Sequence, residues 1–139
     1  MTTKIEQPLS QNRLYRYHDV IGLLSAAGPG FSGPVSVITG PVDELYVANR
    51  ASPNQPEAVR ITRCTKEGDF LEHFGEWGEE PGQFIWVTSI AFSPQAELYL
   101  ADESSNQISV FDANNSFVRR FGEPGSGLSQ FDRPSGMAF

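Results

Sequence analysis

Side chains that could perform chemistry are sparse in this sequence, and none stands at a spacing that organises a reaction. His18 and His73 are far apart, and His73 sits between Glu72 and Phe74 in a strand-like run, so no histidine pair has metal-ligand spacing. Cys64 is the single cysteine; it has no disulfide partner and no adjacent base to make it a nucleophile. Asp102 is the most tempting acid. Its place before Glu103-Ser104-Ser105-Asn106 predicts a turn role, the carboxylate accepting backbone N–H groups. An earlier copy of the same phrase holds Asn49 at this position, and an amide cannot replace a catalytic carboxylate. No catalytic residue, metal or cofactor is implied.

The elements that carry these residues repeat. Phe70, Phe74, Gly75, Gln83, Phe84 and Phe92 return 47 residues later as Phe117, Phe121, Gly122, Gln130, Phe131 and Phe139. A copy 53 residues upstream aligns Phe31, Ser36, Pro41, Glu44-Leu45-Tyr46 and Ala48 with Phe84, Ser89, Pro94, Glu97-Leu98-Tyr99 and Ala101. The surplus of six (53 minus 47) is a proline-bearing polar stretch, Arg50 to Ala58. Between turn signals stand short runs rich in β-branched and aromatic residues, such as Leu98-Tyr99-Leu100-Ala101 and Gln107-Ile108-Ser109-Val110-Phe111. A period in the forties built from four short strands marks a propeller blade. The fold class is therefore all-β, a partial β-propeller of four-stranded antiparallel blades.

The chain divides accordingly. Residues 1–12 read as a polar tail, and 13–28 as an outer hairpin of a partial blade, with strands over Arg13–Tyr17 and Val20–Leu24. Residues 31–75 and 84–122 are whole blades, and 131–139 open the first strand of another. Second strands around Leu45, Val47, Leu98 and Leu100 read as buried on both faces, as stacked blades require.

The phrase Gly82-Gln83-Phe84, Ser89-Ile90-Ala91, Leu98-Tyr99-Leu100-Ala101-Asp102, Asn106, Ile108, Val110-Phe111-Asp112 and Phe121-Gly122 resembles the NHL repeat. The resemblance covers residues 31–139, with a weaker tail in 13–28, and implies a six-bladed ring. Asn49 departs from the pattern where the repeat has Asp, and Val87 stands where Pro34 and Pro134 stand in the other copies. Two whole blades cannot close such a ring. A segment of a longer propeller protein is the expectation; a truncated gene product and two copies joined into one ring are the alternatives. Open blade faces would favour self-association.

Composition narrows the partners. Net charge is −7, from 17 acidic and 10 basic residues, and the basic fragments at Arg60, Arg63 and Arg119-Arg120 are not dense. That argues against nucleic acid as partner. No run is long enough to span a bilayer, and Met1 to Glu6 lacks the apolar core of a secretory signal, which makes a cytoplasmic location the default.

Recognition residues are expected on one loop face, where the blade-to-blade crossings and the 50–58 insertion should emerge together. Trp86 shares a repeat slot with Gly33 and Arg133, and such variation suits a surface that recognises something. Arg50, Trp77, Trp86, Glu103 and Arg133 are the expected contact residues. The expected function is a non-enzymatic module that binds a protein or peptide. A fragment of a metal-dependent propeller lyase or hydrolase, with its ligands in other blades, is the first alternative; an RNA-binding NHL domain is the second.

Overall fold

The computed structural model describes residues 17–51 and 54–139. The expected tail over 1–12 and the start of the 13–28 hairpin lie outside them. Blade 1 is a four-stranded antiparallel sheet of β1 (Pro34–Thr39), β2 (Leu45–Asn49), β3 (Arg60–Cys64) and β4 (Phe70–Phe74). Blade 2 repeats it with β7 (Val87–Phe92), β8 (Leu98–Asp102), β9 (Gln107–Phe111) and β10 (Phe117–Phe121). Between them, β5 (Glu76–Trp77) pairs in parallel with β6 (Gln83–Phe84), and after blade 2, β11 (Glu123–Pro124) pairs likewise with β12 (Gln130–Phe131). The insertion carries a 3-10 turn, Pro56–Ala58. Among the described residues no helix is long and apolar enough to cross a membrane.

Tight turns let each strand pair with its successor. Gly40 N donates to Glu44 O at 2.7 Å and Ser93 N to Glu97 O at 2.9 Å, with Asp43 and Ala96 in the left-handed region. The second and third strands are almost wholly buried, while β4 and β10 are exposed edges. The core lies between the blades, where Tyr46, Ala48 and Ile61 meet Phe84, Val87, Ile90, Leu100 and Phe111. Edge-to-face contacts of Tyr46 with Phe92 at 4.9 Å and of Phe74 with Phe111 at 5.4 Å join the two sheets.

Each crossing is anchored by a phenylalanine set against a glycine. Phe84 is 1% exposed, and its ring occupies the space that a Cβ on Gly75 would need. Phe131 stands against Gly122 in the same way, and Phe31 against Gly22. This first pairing corrects the register at the N-terminal end. By the 53-residue shift Gly22 corresponds to Gly75, so a fourth strand would end before it; Val20–Leu24 forms no ladder. Leu24 instead bridges Phe31 in parallel, as Trp77 does Phe84 and Pro124 does Phe131. A fourth-strand ladder there would need the third strand of the same blade as its neighbour, and none is among the described residues.

The expected strand over 131–139 is also not formed beyond Phe131; among the described residues no second strand lies beside it to pair with. The segment nevertheless docks where an inner strand belongs. Ser36 Oγ accepts the Ile90 amide at 3.2 Å, and Ser89 Oγ accepts the Met137 amide at 3.2 Å. Phe139 lies edge-on to Tyr99 at 5.0 Å, repeating the contact of Phe92 with Tyr46.

Candidate functional site

The loop face is built on Asp102. Its buried carboxylate accepts the amides of Ser104 at 2.9 Å and Ser105 at 3.3 Å, the turn role its sequence position suggests. It also accepts Ile85 N at 2.7 Å and Trp86 N at 3.1 Å, and so ties the end of the crossing to β8. Asn49 does the same in blade 1, its Oδ1 accepting Ser32 N at 3.0 Å. Its amide nitrogen donates to Val47 O and Thr62 Oγ1, both at 3.0 Å, which a carboxylate could not do.

On this base four residues from two repeat slots meet in two pairs. Arg50 N donates to Gly33 O at 2.9 Å, and Glu103 N to Trp86 O at 3.0 Å, so Arg50 and Glu103 are equivalent. Each reaches the next copy's slot. The Arg50 guanidinium stacks over the Trp86 ring at 4.3 Å, and Glu103 accepts Arg133 Nε at 2.8 Å in an ion pair. Asn106 Oδ1 accepts Arg133 N at 2.7 Å. Ile85, Trp86, Glu103, Ser104, Asn106 and Arg133 line an open groove of about 550 Å³.

Of the five expected contact residues, Trp86, Glu103 and Arg133 line this groove, and Arg50 braces its tryptophan. Trp77 does not join them. It is 51% exposed on β5, which lies against the turn Pro56–Ala58 of the insertion. Ile85, Ser104 and Asn106 were missed as site residues. The signal for Asn106 was its residue type in the repeat phrase: asparagine is a turn residue that tolerates the left-handed region, and it adopts φ 57° here while its Oδ1 accepts Arg133 N.

The basic fragments are spent inside the fold. Arg63 pairs with Glu44 at 3.1 Å and with Glu72, beneath the ring of Tyr46. Arg119 grips Glu97 through both terminal nitrogens, at 3.0 and 3.3 Å, and donates to the Tyr99 hydroxyl at 2.7 Å. Arg60 and Arg120 both bind main-chain carbonyls of the crossings. Burial lowers the Arg60 pKa and raises that of the Cys64 thiol, which makes Cys64 a poor nucleophile. Among the described residues no three His, Cys, Asp or Glu side chains gather into a metal site.

No family model matches the chain. Over 65 residues, 47% of its length, it is 42% identical to the RING finger protein nhl-1 of Caenorhabditis elegans, and 35% identical to the protein brain tumor of Drosophila melanogaster. Both are NHL-repeat proteins. The chain is related to NHL-repeat proteins. It spans only 7% and 6% of the length of these two relatives. Among solved structures, a putative exported protein of Bacteroides fragilis matches 76% of the chain with a TM-score of 0.58 at 16% identity, covering 28% of that protein. Hydrazine synthase of Kuenenia stuttgartiensis matches 78% with a TM-score of 0.54 at 15% identity, over 26% of its chain. At such identities the likeness is one of fold.

Proposed function

We propose that this NHL-related segment is a binding module whose loop face, around Trp86, Glu103 and Arg133, takes a protein or peptide. The observation that carries this reading is the groove of about 550 Å³, with a braced indole as its wall and an arginine at its rim. Tryptophan and arginine are the side chains that most often anchor such interfaces. The Arg133–Glu103 pair is a weak latch: the arginine side chain is 74% exposed, so either partner can be drawn to a ligand at little cost. A phosphate backbone is a poorer fit, because Arg60, Arg63, Arg119 and Arg120 are engaged within the fold.

The test is selection of a displayed random-peptide library on the full chain, followed by affinity measurement with variants. Trp86→Ala and Arg133→Ala should each weaken the selected peptides about tenfold or more, on the order of 1.4 kcal/mol. Leu71→Ala, outside the groove, should leave binding unchanged. Peptides that bind Trp86→Ala as tightly as the parent chain would sink the proposal.

A further inference from the structure

The crossings contain a second kind of site. In the crossing before blade 1, four main-chain carbonyls converge on one guanidinium. Arg60 Nη1 donates to Ala26 O at 2.5 Å, and Nη2 to Ser25 O, Gly28 O and Gly30 O at 3.0, 3.1 and 3.2 Å. Among the described residues no carboxylate bonds to Arg60, which is 2% exposed; carbonyl dipoles hold the charge. In the crossing before blade 2, Arg120 Nη1 donates to Glu79 O at 2.9 Å, and Nη2 to Glu80 O at 3.1 Å and Gln83 O at 2.5 Å.

Two of the carbonyls correspond, and the arginines do not. The 53-residue shift carries Ala26 to Glu79 and Gly30 to Gln83. Arg60, however, lies on β3, where blade 2 has Gln107; Arg120 lies on β10, where blade 1 has His73. This pair of oxygens is the constant feature, the remaining acceptors differ between the crossings, and an arginine reaches the pair from whichever strand carries one.

The crossing after blade 2 has the same frame. Gln83 Oε1 accepts Glu80 N at 2.9 Å while its amide donates to Glu76 at 2.9 Å; Gln130 Oε1 accepts Gly127 N at 2.8 Å while its amide donates to Glu123 at 3.0 Å. Gly78 N meets Phe84 O at 3.3 Å, and Gly125 N meets Phe131 O at 3.0 Å. Among the described residues no side chain donates to the carbonyls of Ser126, Gly127 or Gln130, and Leu128 between them is fully exposed.

We propose that Ser126–Gln130 is an arginine socket, whose carbonyls at Ser126, Gly127 and Gln130 bind the guanidinium of a protein segment packing against blade 2. Arginine suits it better than lysine. A planar fork with five donors can meet three fixed oxygens at once and is more weakly hydrated, whereas an ammonium is a compact, strongly hydrated point charge. The site is separate from the loop-face groove and does not depend on it.

Isotope-labelled full chain would be titrated with N-acetyl-arginine amide, N-acetyl-lysine amide and N-acetyl-citrulline amide at matched ionic strength, following amide shifts. The arginine compound alone should move the amides of residues 125–131 in a saturating way. Gln130→Leu removes the brace and should weaken that response about fivefold or more. Equal responses to lysine or citrulline, or no arginine response at 125–131, overturn the socket. A second measurement needs no added ligand. Arg60→Gln should lower the unfolding temperature, and adding His73→Arg should restore at least about half of the loss, as the Arg120 arrangement predicts. Without such rescue the donor's position, rather than the carbonyl cluster, defines the site, and the inference falls.

Discussion

Gly75→Ala tests the joint between the blades. Gly75 has φ +74°, and a Cβ there would meet Phe84 Cε1 at 2.3 Å and Cζ at 2.5 Å. The left-handed backbone costs an alanine about 1–2 kcal/mol. Overpacking a core ring adds about 1–3 kcal/mol, since Phe84 has no solvent-filled space to retreat into. The stiffer unfolded chain returns about 0.4–1 kcal/mol. The net expectation is a loss of about 2–4 kcal/mol in urea unfolding. Gly82→Ala is the control, because φ there is +85° but the nearest atom, Phe117 Cβ, is at an ordinary 3.6 Å. It should cost only about 0.5–1.5 kcal/mol. Adding Phe84→Leu to Gly75→Ala should cost less than the sum of the single losses, because the smaller side chain relieves the clash. If Gly75→Ala costs no more than Gly82→Ala, the ring does not lock the crossing and the reasoning is wrong.

Asp102→Ala removes the acceptor of four amides and should cost about 3–5 kcal/mol in chemical denaturation, while Asp102→Asn, which copies Asn49, should cost about 1–2 kcal/mol. Equal losses would contradict the tethering role. Burial pushes the Tyr46 hydroxyl up to about 12, above the value near 10 of an unfolded tyrosine, so the stability it contributes is complete below pH 10 and is lost as pH rises towards 12. Relative to Tyr46→Phe the chain should lose about 1–3 kcal/mol over that range by urea midpoints, and parallel curves would refute this. Leu23 and Leu24 before blade 1, and Leu128 and Phe139 after blade 2, are exposed, so light scattering should give a mass above one chain that rises with concentration. A single-chain mass at every concentration would count against self-association.

The residues that showed the fold in the sequence are those whose packing is the same in each copy. Phe31, Phe84 and Phe131 sit against glycines, and Tyr46 and Tyr99 receive the next copy's phenylalanine, so their types recur at fixed spacing. The loop face was partly legible for the same reason: Arg50 and Glu103 share one slot, Trp86 and Arg133 another. Their pairing was not legible. Variation among Gly33, Trp86 and Arg133 suggested recognition, yet Trp86 also answers Arg50, and Arg133 answers Glu103, across the blade boundary. Those contacts join residues 36 and 30 positions apart in sequence (86 minus 50, 133 minus 103), beyond the reach of any local pattern.

The arginines were hidden by the repeat itself. Arg63 on β3 serves Glu44 and Tyr46, and Arg119 on β10 serves their counterparts Glu97 and Tyr99. Arg60 and Arg120 show the same exchange of strands at the carbonyl clusters. Aligned copy on copy, each arginine faces an unrelated residue: Gln107, Val110, Glu72 and His73. Neighbouring strands lie only about 4.8 Å apart, and an arginine stem is long enough to deliver its head to one point from either strand. What the fold holds fixed is the acceptor: a carboxylate beside a tyrosine, or two carbonyls of a crossing, those of Ala26 and Gly30 before blade 1 and of Glu79 and Gln83 before blade 2. The donor can move between strands without changing the blade, so a repeat alignment scores as variable what the structure keeps constant.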